Sequence, residues 1–376
     1  MSGSVVDARL HAVQVTPRTR WAFVELRDDA GRAGTGEATL AEHDGALSHA
    51  FDTVARRLDG CAVSEQSLYA FRAEATTLAE FAVVSALDHA LWDLIGQRDG
   101  QSVADALGGR RLERVSAYAN VNRAATSRTP EAFAEVAGHA VAEGFRAVKI
   151  APFDGIELYG HAGEDAPASL LDAAFARVAA VRSAIGTDVE LMVDCHWRLN
   201  AATALQCIDS LARFDVRWLE CPLPETLAFV ERLRALRSRA NVRGMRVAGC
   251  EQMSRIDGFA PWLRAGAYDV MMPDVKYVGG LREMLAVAAE LQSHGVECVP
   301  HNPSGPIAHA VTLQACAAAG LRRAEIQFRE TPYFDALCDT VLPTPVDGVI
   351  AVPKAPGLGV ALDSRIVEGL RVDPRR

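Results

Sequence analysis

Residues 191–198 read Leu-Met-Val-Asp-Cys-His-Trp-Arg, an apolar run that gives way to ionisable side chains at Asp194 and His196. Two similar runs follow, Trp-Leu-Glu-Cys-Pro around Glu220 and Ala-Gly-Cys-Glu-Gln around Glu251. Short apolar runs that end in polar residues are typical of buried strands. Each run therefore predicts a buried strand with an ionisable group at its carboxyl end.

Eight such runs follow residue 112, and longer segments with the apolar spacing of helices separate them. The predicted strands are 115–122, 147–151, 189–196, 218–222, 247–251, 270–275, 296–302 and 324–330. Strands that alternate with helices favour a parallel sheet, and eight such units predict a closed (β/α) barrel. An open, doubly wound sheet is the alternative fold.

The residues that precede these runs predict a second domain. Strand-like alternation over 5–37, around the turn Asp-Asp-Ala-Gly at 28–31, is followed by helical spacing from 45 to 97. We therefore predict an α/β protein with an α+β domain at 1–112 and a barrel at 113–330. The C-terminal segment, 331–376, is expected to pack back on the first domain.

Composition and charge exclude several classes of partner. The 376 residues carry a formal net charge of -9, so most of the surface repels nucleic acid. No apolar stretch is long enough to cross a bilayer, and Met-Ser-Gly-Ser at the start lacks the pattern of an export signal. The eight cysteines form no Cys-x-x-Cys pair and are better explained as small buried hydrophobes than as metal ligands or disulfides. We expect a cytoplasmic protein that binds neither nucleic acid nor membranes.

Ionisable residues stand at the carboxyl ends of seven of the predicted barrel strands. They are Lys149, Asp194 with His196, Glu220, Glu251, Asp274, His301 and Glu330. In a barrel these ends meet on one face, where like charges at close range need a cation or a shared proton. Three carboxylates, Asp194, Glu220 and Glu251, make a hard oxygen site that suits Mg²⁺, whereas zinc would more often recruit histidine.

The order of these residues carries a family resemblance. Asp194, Glu220 and Glu251, then Asp274 ahead of a Gly-Gly pair, then His301, resemble the mandelate racemase subgroup of the enolase superfamily over essentially the whole chain. The resemblance implies that the three carboxylates hold Mg²⁺, which binds the carboxylate of the substrate. It also implies that the opening domain is a capping domain.

The resemblance further implies the catalytic base. His301, hydrogen-bonded to Asp274, would abstract the proton α to the substrate carboxylate. Lys276 would be the base in the muconate-lactonizing branch, but counting back from the Gly-Gly pair places Asp274 at that position. On a strand period of two we expect Lys276 to point elsewhere.

The second predicted strand departs from the family pattern. It reads Val-Lys-Ile-Ala at 148–151, so Ala151 occupies the place of a second lysine found in many members. Alanine moves no proton, which excludes a two-base racemisation through that lysine. We expect Lys149 to contact the substrate carboxylate or the ligand sphere of the metal.

The third strand suggests the reaction. The pattern Asp194-x-His196-x-Arg198 resembles that of sugar-acid dehydratases such as galactonate and mannonate dehydratases, in which the equivalent histidine protonates the departing hydroxyl. The resemblance implies β-elimination of water from an aldonate or aldarate, giving a 2-keto-3-deoxy acid. The alternative is a cycloisomerase, or a racemase or epimerase, of a hydroxy acid or sugar-acid lactone at the same site. A more remote one is a barrel that binds a sugar acid without turnover.

Several further residues are expected at the substrate. Glu330, favoured over Glu325, is the candidate eighth-strand acid that donates to the substrate carboxylate. The predicted binding residues come from the capping domain and from the barrel, and the segment 153–165 is expected to overhang the site. They are Arg18, Arg20, Trp21, His43, Arg198 and Asn302, with Tyr159, His161 and Glu164 in the overhanging segment. The expected ligand is a small hydroxy-carboxylate or sugar acid, and the family resemblance favours a homo-oligomer.

Overall fold

An antiparallel sheet opens the chain in the computed structural model, which describes residues 3–156 and 166–374. Strands β1 (Val5–Gln14), β2 (Arg20–Asp28) and β3 (Ala33–Glu37) pair in chain order. A 3₁₀ turn (Glu65–Leu68) and four helices follow. The helices are α1 (Asp44–Ala55), α2 (Tyr69–Glu74), α3 (Leu78–Asp99) and α4 (Val103–Ala106).

Helix α3 is the core of this first unit. A capping box between Thr77 and Glu80 starts the helix, and Gly100 ends it in a left-handed conformation, φ 67°. Most of its residues are buried because β3 packs on one side and the second unit on the other. The packing on β3 is so close that a Cβ at Gly36 would overlap the carbonyl oxygen of Ala86.

Eight parallel strands form the second unit. They are β4 (Arg114–Asn120), β5 (Ala147–Ile150), β6 (Glu190–Asp194), β7 (Val216–Glu220), β8 (Arg246–Gly249), β9 (Val270–Met271), β10 (Glu297–Cys298) and β11 (Arg323–Gln327). The helices between them are α5 (Pro130–Ala142), α6 (Ala168–Ile185), α7 (Ala201–Ala212), α8 (Val230–Val242), α9 (Arg255–Ala265), α10 (Leu281–Ser293) and α11 (Pro306–Ala319). A 3₁₀ turn (Leu227–Phe229) precedes α8.

The strand order identifies a barrel. Strands β4 to β10 are neighbours in chain order, and β11 pairs with β4. A doubly wound sheet would reverse its strand order at a switch point, and this sheet does not. Asn302, which follows β10, connects it with β11: its backbone N–H donates to Glu325 Oε2 at 2.9 Å.

The C-terminal segment contacts the first unit, as expected from the sequence, and the barrel as well. It contains α12 (Tyr333–Ala336), β12 (Val349–Ala351), α13 (Ser364–Leu370) and β13 (Arg371–Val372). Strand β12 pairs antiparallel with β4 of the barrel, and β13 pairs with β1 of the first unit.

The first unit is bonded to the barrel segment that follows Asp274. In α3, Ser85 Oγ accepts from Gly279 N at 3.1 Å, and Asp88 Oδ2 accepts from Leu281 N at 2.6 Å. His89 Nε2 lies 3.0 Å from the carbonyl oxygen of Val275. The first unit therefore fixes the end of the sixth barrel strand.

Two further observations concern the whole chain. All eight cysteines are free thiols, and six of them are buried, as small hydrophobes would be. In the part of the chain that the structure describes, no helix combines the length and the apolar character needed to cross a membrane.

The burial of His89 makes a prediction about acid stability. Burial lowers the pKa of His89 to about 3, whereas an unfolded histidine titrates near 6.5. Below about pH 6.5, His89 binds a proton in the unfolded chain but not in the folded protein. The free energy of unfolding therefore falls as the pH falls from about 6.5 towards 3, by up to about 1.4 kcal/mol per pH unit. His89→Gln keeps an N–H for the Val275 carbonyl and should flatten this dependence in urea unfolding between pH 6.5 and 4.

His139→Gln is the matched control, because His139 is exposed on α5. Its pH dependence should follow the wild type. An unchanged slope in His89→Gln would contradict the account.

Candidate active site

The carboxyl ends of the barrel strands form a polar layer above an apolar one. Side chains from seven strands and the residues that directly follow them fill the lower layer of the barrel interior. They are Tyr118, Ala147, Met192, Trp218, Ala248, Val270, Met272 and Val299. Five of the predicted ionisable residues stand two positions after a member of this apolar layer, so the site has a packed floor. They are Lys149, Asp194, Glu220, Asp274 and His301.

A buried lysine is the centre of the polar layer. The side chain of Lys149 has no exposed surface, and its ammonium pairs with Glu220 and, at 2.8 Å, with Glu325 Oε1. Trp218 Nε1 also donates to Glu220 Oε2 at 2.8 Å, and Asn120 Nδ2 donates to Glu325 Oε1 at 2.8 Å. One ammonium therefore serves two buried carboxylates.

The pKa values of Glu220 and Lys149 are shifted because buried carboxylates outnumber the ammonium group. Burial raises the pKa of Glu220 to about 8, and although Lys149 opposes the shift, Asp194 and Glu251 add to it. Burial works to lower the pKa of Lys149, but Glu220 and Glu325 outweigh it and hold that pKa well above its usual value. The site thus carries more negative charge than its own cations balance.

The three predicted metal ligands come from consecutive strand ends. Asp194 and Glu220 are register partners on β6 and β7, and Glu251 lies two residues beyond β8. In the described part of the chain, no three side chains of His, Cys, Asp or Glu converge closely enough to hold an ion as they stand. The donor set still fits Mg²⁺ in its chemistry, because it consists of carboxylates whose mutual repulsion contributes to the raised pKa of Glu220.

His301 and Asp274 form the predicted dyad. His301 Nδ1 lies 2.8 Å from Asp274 Oδ2, which leaves Nε2 facing Glu251 Oε1 at 3.5 Å. Burial tends to raise the pKa of Asp274, but Lys276 and His301 hold it below its usual value. Burial tends to lower the pKa of His301, and Glu251 with Asp274 raises it above the usual value. The carboxylate therefore orients the ring and turns Nε2 towards Glu251.

The prediction that Lys276 points away from the site is wrong. Its Nζ lies 2.5 Å from Asp274 Oδ2, and its backbone N–H donates to Oδ1 at 2.8 Å. Strand β9 ends at Met271, and a turn follows over 275–277. The period of two therefore no longer applies at Lys276, which becomes a second partner of the Asp274 carboxylate.

His196 lies between two carboxylates. Its Nε2 is 2.6 Å from Asp194 Oδ2, and its Nδ1 is 2.8 Å from Asp154 Oδ1. His196 and Trp197 both have positive φ, 47° and 57°, a conformation that costs about 1–3 kcal/mol per residue and concentrates at functional sites. Sequence reasoning missed Asp154, and the only signal was a carboxylate three residues after Ala151.

The two candidate acids of the last strand differ in depth. Glu325 is on β11 and bonds to Lys149, as described above. Glu330 lies three residues beyond that strand, where its carboxylate accepts from Thr19 Oγ1 of the first unit and from Arg123 Nη1 at 3.2 Å. Glu330 thus connects the mouth of the barrel with a loop of the first unit. Glu325 belongs to the buried charge network around Lys149, a place that the sequence did not predict.

Two predicted binding residues are buried. Trp21 has no exposed surface and packs edge-on against Phe23 and Phe334, with ring centroids 6.3 and 6.2 Å away. Asn302 is buried and holds Glu325, as described above. Both side chains are therefore packed into the structure around the site, and their contact with a substrate stays a prediction.

The remaining predicted binding residues that the structure describes are at least partly exposed. Arg20 bonds to Asp44 at 3.0 Å, and Arg198 donates to the carbonyl oxygen of Ile156. Arg18 and His43 are exposed on loops of the first unit. Tyr159, His161 and Glu164 lie outside the described residues.

Gln327 is a further residue that sequence reasoning missed. It follows Glu325 by two positions on β11, so both side chains point into the barrel. Both polar atoms of its amide are buried without a hydrogen-bond partner among the described residues. The alternation along this strand was the signal that could have found it.

Two family models match the chain in succession. The N-terminal domain of mandelate racemase and muconate lactonizing enzyme matches residues 6–108, and the enolase C-terminal domain-like model matches residues 132–366. The chain belongs to the mandelate racemase/muconate lactonizing enzyme family. This confirms the predicted resemblance and its fold, a capping domain with a barrel.

Curated relatives in this family include two kinds of enzyme. A D-gluconate dehydratase of Thermoproteus tenax is 31% identical over 77% of this chain, which spans only 56% of that relative. A D-galactarolactone cycloisomerase of Agrobacterium fabrum is 33% identical over 77% of this chain and 74% of its own length. A D-galactonate dehydratase of Ralstonia nicotianae is 28% identical over 96% of this chain and 92% of its own.

Solved structures of the family share the complete fold. A putative dehydratase from Mesorhizobium loti superposes with a TM-score of 0.87 at 25% identity and 99% coverage of both chains. A mandelate racemase/muconate lactonizing enzyme from Jannaschia sp. CCS1 gives the same values.

The position of Lys149 makes a prediction about stability. Lys149→Met leaves Glu220 and Glu325 buried without their shared cation, so the free energy of unfolding should fall by about 3–5 kcal/mol in the presence of a chelator. Added Mg²⁺ should recover part of the loss, because an ion that binds only the folded state stabilises it. Urea unfolding with and without Mg²⁺ measures both effects.

Lys354→Met is the matched control, since Lys354 forms an exposed pair with Glu113. A surface pair contributes at most about 1 kcal/mol. A loss in Lys149→Met no larger than in this control would contradict the role of Lys149.

Proposed function

We propose that this protein is a Mg²⁺-dependent sugar-acid dehydratase. It removes the proton α to the carboxylate of an aldonate or aldarate and expels the β-hydroxyl as water, leaving a 2-keto-3-deoxy acid. The observation that carries the proposal is a pair of histidines, His301 and His196, each bonded through Nδ1 to a carboxylate. They follow the seventh and third strands, which lie on opposite sides of an eight-stranded barrel.

The metal ligands in this proposal are Asp194, Glu220 and Glu251. Bound Mg²⁺ would supply positive charge to the substrate carboxylate and to the enediolate that forms when the α-proton leaves. The excess negative charge of the site supports this assignment, as does the family membership of the chain. Lys149 adds a fixed ammonium beneath Glu220.

His301 is the proposed base. Asp274 engages Nδ1, so Nε2 is the atom that accepts the α-proton. Lys276 and Asp274 form a buried pair next to the ring, and this pair keeps the carboxylate ionised while the histidine takes up the proton.

His196 is the proposed general acid. Hydroxide is a poor leaving group, so a proton must reach the β-oxygen as the carbon–oxygen bond breaks. Ala151 supplies no ionisable group on this side of the site, whereas His196 Nε2 lies next to Asp194, on the side of the proposed metal. Acid and base are thus separate groups, as elimination requires.

A cycloisomerase is the second candidate function. A relative at 33% identity has that name, and the His301–Asp274 dyad would serve either reaction. In an isomerase the proton would return to the carbon and no 2-keto acid would form. The product therefore distinguishes the two functions.

The remaining expectations about the protein also stay proposals. We propose a homo-oligomer in the cytoplasm, and the eight free thiols are compatible with a reducing compartment.

The proposal predicts product formation with a panel of acids. Mg²⁺-loaded enzyme is incubated with D-gluconate, D-galactonate, D-xylonate and the C6 aldarates, and 2-keto-3-deoxy acid is measured as its semicarbazone. At least one acid should give product. His301→Asn should lose dehydration and α-proton exchange with D₂O, while His196→Asn should lose about 10²–10⁴-fold in dehydration and keep the exchange.

His294→Asn is the control, because His294 is exposed at the end of α10. It should behave as the wild type in both assays. Exchange of an α-proton without any keto product would contradict dehydration and favour the cycloisomerase or an epimerase.

A further inference from the structure

The loop after the second barrel strand places a carboxylate against the proposed acid. Asp154 lies four residues beyond the end of β5. Its Oδ1 is 2.8 Å from His196 Nδ1 and 3.5 Å from Arg198 Nε, and its Oδ2 accepts from Arg128 Nη2 at 2.9 Å. Asp154 is therefore bound on one side to the histidine and on the other to an arginine.

Arg128 is itself fixed to the barrel. It donates to the carbonyl oxygen of Asn122, after the first strand, and to that of Ala151, after the second, both at 2.9 Å. Its guanidinium lies 4.4 Å from the centre of the Phe133 ring on α5. Arg177 of α6 also donates to the carbonyl oxygens of Pro152 and Asp154, at 2.5 and 3.4 Å. These contacts join the loop that carries Asp154 to the first two strand–helix units of the barrel.

The bond to Asp154 engages one nitrogen of His196 and fixes the direction in which the other points. Because Nδ1 is engaged, the ring presents Nε2 to the side of the site where Asp194 lies, 2.6 Å away. His301 shows the same arrangement with Asp274. A histidine whose Nδ1 bonds to a fixed carboxylate is held in one tautomer and one ring orientation.

We propose that Asp154 is a positioning residue for His196, held in place by Arg128, and that it fixes Nε2 as the nitrogen that protonates the departing hydroxyl. This role rests on the proposed function of His196 as the general acid. In the reaction, His301 Nε2 takes the α-proton, and the electrons of that C–H bond form the double bond of the enediolate. The carbon–oxygen bond then breaks, its oxygen takes the proton of His196 Nε2, and water leaves. Asp154 itself exchanges no proton with the substrate.

The proposal predicts a loss confined to the step that needs the acid. Asp154→Asn and Asp154→Ala are compared with Asp172→Asn, a control at an exposed aspartate on α6. With the acid that the wild type dehydrates, kcat of both Asp154 variants should fall by about 100-fold, with KM changed less than about threefold. Exchange of the α-proton in D₂O, which depends on His301, should stay at the wild-type rate.

A substrate with a better leaving group provides the readout that a merely structural role would not alter. The 3-deoxy-3-fluoro analogue of the same acid loses fluoride, which needs less protonation than hydroxide, and gives the same 2-keto-3-deoxy acid. The Asp154 variants should therefore turn over the fluoro analogue at nearly the rate of the control. Equal losses on the hydroxy acid, the fluoro analogue and α-proton exchange would overturn the proposal in favour of a structural role.

NMR tests the positioning without any substrate. In the Mg²⁺-loaded enzyme, a downfield imidazole N–H resonance that is absent in His196→Asn belongs to His196, and its one-bond coupling to the ¹⁵N of Nδ1 rather than Nε2 assigns it to the proton shared with Asp154. It should disappear in Asp154→Ala and remain in Asp172→Asn; its persistence in Asp154→Ala would overturn the proposal. Thermal unfolding and circular dichroism establish that the variants are folded.

The two proposals fail in different ways. If the wild type exchanges α-protons but makes no keto acid, the proposed dehydration is wrong, and the NMR result still decides whether Asp154 orients His196. If the wild type dehydrates and the Asp154 variants match Asp172→Asn, only the role of Asp154 is wrong.

Discussion

An ammonium group without exposed surface lies between two carboxylates inside the barrel, and the arrangement of the polar layer depends on it. Lys149 pairs with Glu220 on β7 and with Glu325 on β11, so one side chain joins the second, fourth and eighth strands of the barrel. Buried carboxylates without a cation would cost several kcal/mol each. Even so, Lys149 does not balance the charge, since burial and the neighbouring carboxylates raise the pKa of Glu220 to about 8. The proposed Mg²⁺ would supply the positive charge that Lys149 alone does not.

The capping domain also holds two segments of the barrel in place. Helix α3 bonds to the segment just after Asp274, as described above. Glu37, at the end of β3, accepts the backbone N–H groups of Gly305 and Ala308 at 2.8 Å each, just after His301. His301, the proposed base, and its partner Asp274 therefore both lie next to segments that the capping domain holds in place. These contacts explain why ionisable residues of the first unit, among them Glu37, are buried between the two units.

The sequence predicted the residues on the strands far better than those beyond them. Asp194 and Glu220 follow the alternation of their strands, and the family order located His301. Past the strand ends the period of two no longer applies, which is why the direction of the Lys276 side chain was predicted wrongly. The choice of Glu330 over Glu325 as the eighth-strand acid stays a prediction. Trp21 and Asn302 were predicted to bind the substrate, and both are buried in the structure. Their burial depends on packing against residues distant in sequence, Phe334 for Trp21 and Glu325 for Asn302, which no local pattern shows. Asp154 comes from a loop whose path depends on Arg128, and no local pattern predicts that contact.

The central claim is that the polar layer binds a divalent cation between Asp194, Glu220 and Glu251. Anomalous diffraction from crystals soaked in Mn²⁺, a stand-in for Mg²⁺ that scatters anomalously, tests this directly. The account predicts one strong anomalous peak within coordination distance of these three carboxylates, and no such peak in Glu220→Gln crystals. A peak elsewhere, or none at the wild-type site while Glu220 keeps its pairing with Lys149, would contradict it.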